Sequence, residues 1–268
     1  MAESKSLDQA YLAIILDALA ICRNYKPKFG KSGKKGFTVE QFYKLYHQDP
    51  FYKWMGLDSP FVYAAHKAAG GITSVYRQIG IACERLFLRV IQDNLGLAIT
   101  QAKWSYRVPG AGGRERPLSL DGRIAIADIR NPERSTNIHD WLREAAKSIM
   151  VDKKIAAQLT GAVFEIRQGY KSKDSKRQNA DIGNAANAYA HSYLPVVLLL
   201  SNQIDSTIEE RYARSQWLIL KGSLNGSWID SSYIFFRDAL GYDLAGFFRR
   251  NSIKIKTEIE AIIKALLK

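Results

Sequence analysis

The sequence predicts a mixed β-sheet flanked by helices, of class α/β or α+β, and three features of its 268 residues carry that expectation. Between residues 74 and 200 the patterns run helix, strand, strand, inserted helix, strand, helix, strand, an order that builds a sheet with helices packed on it. LPVVLLLS (194–201) is almost wholly apolar, as a strand covered on both faces must be. Hydrophobic residues make up 47% of the chain, which supplies a sizeable core and excludes a disordered chain or a bare basic tail.

Taken in order, LDQAYLAIILDALAIC (7–22) repeats apolar residues at three- and four-residue steps and reads as a helix. A loop rich in Gly, Lys and Pro follows at 24–36. Residues 38–56 read as helical, with Thr38 as a cap and Pro50 as a break. A short helix is expected at 60–69, ending before Gly70-Gly71, and a strong one from Thr73 to Asn94, whose apolar face is Tyr76, Ile79, Ala82, Cys83, Leu86, Val90 and Ile91. KWSYRV (103–108) reads as a strand, PGAGGRERP (109–117) as a turn, and LSLDGRIAI (118–126) as the next strand. Trp141, Leu142, Ala145 and Ile149 mark a helix at 136–150. GAVFEIRQGY (161–170) is a strand, 174–192 a polar helix rich in Ala and Asn, 205–215 a helix, WLILKG (217–222) a strand, and 232–248 and 251–267 two closing helices.

There are 39 Lys and Arg against 26 Asp and Glu, a net charge of +13 that attracts polyanions. The charge is clustered. Residues 23–35 (RNYKPKFGKSGKK) hold six cations and no acid, and 167–177 (RQGYKSKDSKR) hold five against Asp174, with Tyr170 interleaved. No basic amphipathic helix presents itself for a membrane surface, and no apolar run reaches the roughly 20 residues that span a bilayer. Nucleic acid is therefore the expected partner. No secretory signal is visible in MAESKSLDQA, and Cys22 and Cys83 match neither a disulfide framework nor a zinc motif, so a cytoplasmic protein is expected. FGKS (29–32) lacks the first glycine and the preceding strand of a phosphate loop. His47, His66, His139 and His191 are scattered, and no G-x-S-x-G occurs.

Two carboxylates stand out. Asp121 precedes a glycine in LSLDGRI, and Glu165 sits in VFEIRQG, sharing one strand face with Val163 and Arg167 while Phe164, Ile166 and Gln168 share the other. Burying a charged Glu among such flanks costs several kcal/mol unless it is paired or holds a metal. Paired carboxylates on neighbouring strands are hard oxygen ligands for a divalent cation, and a basic group two residues past the Glu would lie beside an attacked phosphate. Each also has a plain structural role open to it: Asp121-Gly122 is a common turn dipeptide, and Glu165 with Arg167 can be an ion pair.

The helix at 74–94, the strand bearing Asp121, the Glu165-x-Arg167 strand and the helix–strand pair after it resemble the core of the PD-(D/E)XK nucleases. Within them, VFEIRQGYKSKDSKRQNAD (163–181) and LSLDGRI (118–124) look most like type II restriction endonucleases. The resemblance covers residues 74–200. It implies Asp121 as the first acid, Glu165 as the second, both as ligands of Mg²⁺, and Glu84 on the preceding helix as a supporting acid. Asp128 competes for the first position. Arg167 stands where the family usually has Lys and cannot act as a base, since its pKa lies above about 12, so Lys171 or Lys173 is the alternative basic partner. The gap of 165 − 121 = 44 residues is long for the family, which makes 136–150 an insertion.

Arg114, Arg116, Lys173, Lys176, Arg177, Gln178 and Asn179 are the candidate DNA contacts. Lys and Arg suit phosphates, and Arg, Asn and Gln suit base edges. The expectation is one nuclease domain over 1–268, with a helical N-terminal region (1–73), a core (74–221) and a C-terminal helical region (222–268). Its activity would be Mg²⁺-dependent, site-specific cleavage of double-stranded DNA by a homodimer, alongside a cognate DNA methyltransferase. The alternatives are a non-catalytic DNA-binding protein and a structure-specific repair or recombination nuclease.

Overall fold

The computed structural model describes residues 2–29, 36–109, 115–169 and 175–267. The fold is mixed α+β, and it divides into two compact units, Met1–Ala82 with Arg250–Lys268, and Cys83–Arg249. No helix among the described residues is long and apolar enough to cross a membrane.

The first unit is helical. Helix α1 (Ala2–Ala20) buries Tyr11, Ile15, Ala18 and Leu19, the three- and four-residue stripe of its sequence. Helix α2 (Val39–His47) starts at Thr38, whose hydroxyl accepts from the Gln41 N–H while the Gln41 side chain accepts from the Thr38 N–H. Pro50 opens α3 (Pro50–Trp54), and Asp49 caps it through the N–H groups of Phe51 and Tyr52.

Helix α4 (Pro60–Leu95) corrects one expectation, because it runs straight through Gly70-Gly71. A Cβ at position 70 would overlap the Tyr25 hydroxyl, and one at 71 would overlap the Leu266 side chain. The two glycines therefore let neighbouring side chains lie against the helix backbone, and they do not end it.

In the second unit a short helix α5 (Ile99–Ala102) leads into a hairpin of β1 (Trp104–Pro109) and β2 (Glu115–Leu120). Strand β3 (Gly122–Ala125) follows after one residue. Helices α6 (Pro132–Ser148) and α7 (Lys153–Ala156) precede β4 (Gly161–Arg167), and α8 (Ser175–Ala190) leads to β5 (Tyr193–Leu199). Helix α9 (Ser206–Arg214) leads to β6 (Leu218–Leu220). The sheet order is β3-β4-β5-β6, with β3 antiparallel to β4 and the other pairs parallel.

Strands β4 and β5 lie between two apolar layers. On one side Phe164 meets Phe87 of α4 at 4.9 Å between ring centroids, with Trp141 of α6 and Phe235 at 6.2 and 5.8 Å. On the other, Val163, Val197 and Leu199 join Ala185 and Ala188 of α8, Tyr212 and Trp217, and the hairpin's Trp104, Tyr106 and Leu120. Burial on both faces is what makes VFEI and PVVLLL continuous apolar runs, interrupted only at Glu165.

The C-terminal expectation is corrected too. A three-residue helix α10 (Ser232–Ile234) passes into a π-helical turn (Phe235–Ala239), and α11 (Leu244–Leu267) then runs unbroken through the position expected to separate two helices. The break falls at Gly241 instead, whose φ of +81° is a left-handed conformation, with the Arg134 guanidinium packed on its open face.

Candidate active site

The strand expected over 118–126 is broken at one residue, Asp121. Leu120 still pairs with Trp104 of β1, while Gly122 pairs with Phe164 of β4. The chain thus changes partners at Asp121, and the antiparallel ladder to β4 loses its backbone acceptor there. The carboxylate takes that place, with Asp121 Oδ2 accepting from the Ile166 N–H at 2.7 Å. This bond holds Asp121 against Ile166, one residue along β4 from Glu165.

Glu165 is only 6% exposed, in the middle of an apolar strand. The Arg167 guanidinium reconciles it with burial: Nη2 pairs with the Glu165 carboxylate, and Nη1 lies 3.5 Å from Asp121 Oδ2 and donates to the Ile166 carbonyl at 3.2 Å. Period-two alternation puts residues 165 and 167 on the same side of β4, as the sequence implied. The three side chains are 21%, 7% and 15% exposed for Asp121, Glu165 and Arg167, so their interactions are only weakly screened by water.

Glu84, on α4, completes the cluster. Burial pushes the pKa of its carboxyl up and the negative charge of Asp121 pushes it further, while Arg167, Arg85 and Lys103 act against both. All four expected catalytic side chains that the structure describes are therefore gathered at one place from positions 84, 121, 165 and 167. Asp128 is not among them: its carboxylate is held by Arg123 at 3.1 Å and by the Gln101 amide at 3.1 Å. The neighbouring Cys83 thiol is pushed up to about 12 by burial and stays protonated.

Arg85 and Lys103, both exposed beside this cluster, were missed by sequence reasoning. No pattern around an isolated Lys at the foot of a strand would have singled it out. Lys171, Lys173 and Arg114 lie outside the described residues, as do the side chains of Arg116, Lys176, Arg177, Gln178 and Asn179. Further along α8 the polar side chains are taken up by packing. The Tyr106 hydroxyl donates to buried Asn184, the Asn187 amide bonds back to Gly183, and His191 bonds to the Asn187 carbonyl against the ring of Trp104.

Among the described residues no three His, Cys, Asp or Glu side chains form a ready metal shell. The hard carboxylate oxygens of Asp121 and Glu165 do suit a divalent cation in donor type, and Arg167 offsets one of their two negative charges.

Comparison with protein-family models, curated proteins and solved structures finds no match.

The raised pKa of Glu84 has a measurable consequence. The folded state holds the Glu84 proton more tightly than the unfolded state does. Stability therefore falls as pH rises from the ordinary glutamate range through the raised folded value, and the full penalty is present above it. Glu84→Gln removes the penalty. The variant is expected to be more stable than wild type at about pH 8, with the advantage gone near pH 4, in urea unfolding across that range. An advantage independent of pH would show that charge at position 84 is not its cause.

Proposed function

We propose that the chain is a Mg²⁺-dependent endonuclease that hydrolyses phosphodiester bonds of double-stranded DNA at a specific sequence, a type II restriction enzyme with a PD-(D/E)XK-like core. The observation that carries this reading is the meeting of Asp121, Glu165 and Arg167 where β3 and β4 join, with Glu84 of α4 close enough for the charges of Asp121 and Arg167 to act on it. The order of elements around them supports it: a helix, a hairpin, a strand bent at the first acid, an antiparallel strand carrying the second, then a helix and a parallel strand.

In this mechanism Asp121 and Glu165 hold the cation. When bound, Mg²⁺ polarises a phosphoryl oxygen and lowers the pKa of the attacking water. Arg167 is always charged and takes no proton; its role is to neutralise charge on the phosphate and to keep the two carboxylates in place. The Ile166 N–H holds the Asp121 carboxylate at the rim of β4. Arg85 and Lys103 offer exposed positive charge to the DNA backbone beside Glu84. Two copies related by a two-fold axis would cut both strands of a symmetric site, and a cytoplasmic methyltransferase would protect the host's own copies of it.

The same contacts favour one other reading. Arg167 already pairs with both acids, so the cluster could serve only to fasten the bend, and the basic protein would bind DNA without cutting it. Digestion of sequenced plasmid and phage DNA separates the two. Discrete fragments are expected with Mg²⁺ and none with EDTA. DNA shifted but uncut in both would leave a binding protein, and a smear without preferred ends would mark a nuclease that does not read sequence.

A further inference from the structure

The first unit carries a surface that takes no part in the carboxylate chemistry. A cleft of about 650 Å³ is lined by Tyr25, Lys26, Val39, Phe61, Tyr63 and Lys67 among others. It shares Val39 and Pro60 with a shallower hollow that reaches Tyr43. Phe61 is 85% exposed and Trp54 is 81% exposed, and they stand at the two ends of the connection 55–59 between α3 and α4. Phe51 and Met55, close by in sequence, are 60% and 61% exposed. So much apolar area left in water within a dozen residues marks a binding surface.

Charge identifies the occupant. Glu40 also lines the cleft, hydrogen-bonded at the start of α2 and facing a lining that holds Arg23, Lys26 and Lys67. The other carboxylates nearby are engaged: Asp49 by the α3 N–H groups, Asp58 by His47 at 2.7 Å, and Glu258 by Arg23. Lys26, Lys28, Lys44, Lys53 and Lys67 make no ion pair with any described residue, and the basic run 23–35 begins at the edge of the cleft. Flat rings beside a cleft whose lining carries more cations (Lys26, Lys67 and Arg23) than acids (Glu40) match a ligand with flat apolar faces on a polyanionic backbone, which describes a DNA strand with its bases unstacked.

We propose that this surface binds DNA whose bases are opened from the duplex. Phe61 and Trp54 stack on the bases, while Lys26 and Lys67 hold the flanking phosphates. The proposal rests on the DNA reading above, but not on catalysis. The test is fluorescence anisotropy of a labelled single-stranded dT oligonucleotide in EDTA, with wild type, a Trp54→Ala/Phe61→Ala double variant, and a Lys26→Ala/Lys67→Ala double variant. Exposed rings and ammonium groups can be truncated without opening a cavity. The ring variant is expected to lose about 10-fold or more in affinity per ring at unchanged salt dependence. The lysine variant is expected to flatten the log–log salt slope by about 1.4, two phosphate contacts at about 0.7 each.

A ring variant that binds like wild type overturns the proposal. So does one that keeps its DNA affinity while losing self-association in sedimentation, which would make the surface a contact between copies of the chain. Plasmid digestion on the same samples separates the two claims. Wild type that binds through the rings but never cuts removes the nuclease reading alone, whereas cutting with ring-independent binding removes this inference alone.

Discussion

Glu165→Gln is expected to abolish Mg²⁺-dependent cutting, by about 10³-fold or more, while leaving the fold in place. Glutamine matches glutamate in shape and keeps an oxygen that can accept from Arg167, and Asp121 still offers the guanidinium a charge. What disappears is one of the two anionic ligands, and the transition-state stabilisation supplied by a bound metal, several kcal/mol, depends on it. Single-turnover digestion reads the rate, and thermal unfolding with and without Mg²⁺ reads the binding. Wild type is expected to melt higher with the cation, and the variant to show little or no such gain. A variant that cuts at the wild-type rate would end the assignment of Glu165.

Arg167→Ala is expected to destabilise the protein by about 3–5 kcal/mol at neutral pH, the usual cost of removing one partner from a buried ion pair. Glu165 would be left charged in an apolar strand, and Asp121 would lose a neighbouring cation. The deficit should shrink in acid, where the carboxyl groups take up protons and no longer need a counter-charge. Arg167→Lys keeps a positive charge but cannot reach two carboxylates with a planar fork, so its loss should be smaller. Urea unfolding of both variants at neutral and acid pH decides the point. If Arg167→Ala is as stable as wild type, the cluster does not hold the bend together.

The elements that strand burial defines were legible in the sequence. GAVFEIR and YLPVVLL could hardly be anything else, because continuous apolar runs of that length need cover on both faces. Glu165 was legible for the same reason, as a charge with no business in such a run unless something neutralises it. The glycines misled. Gly70-Gly71 looks like a helix end because the pattern does not reveal that Tyr25 and Leu266, distant in sequence, lie where its side chains would go. Gly241, a true break, reads as helix interior because the surrounding apolar residues keep their spacing. At Asp121 the sequence offers a strand and a hairpin-turn signal at once, and the structure shows neither an unbroken strand nor a hairpin but a bend between two strands with different partners. The residue sits where one strand leaves its first partner for its second, a fact held only in the pairing of β1 and β4.

That exchange of partners has a consequence for how chains of this design can vary. Asp121 and Glu165 meet because Gly122 lies opposite Phe164, and the length of the excursion between Ala125 and Gly161, themselves partners in the ladder, does not set their separation. The excursion through α6 and α7 leaves β3 at Ala125 and returns to β4 at Gly161, which lie opposite each other, so it is a closed loop to which length can be added. Doubling such a loop costs only about 0.6 kcal/mol in closure entropy. A one-residue slip of β3 against β4, by contrast, would turn the acid to the opposite face. Related chains can therefore carry their two acids at very different sequence distances. A search that fixes the spacing will pass over them, and one that fixes the strand pairing will not.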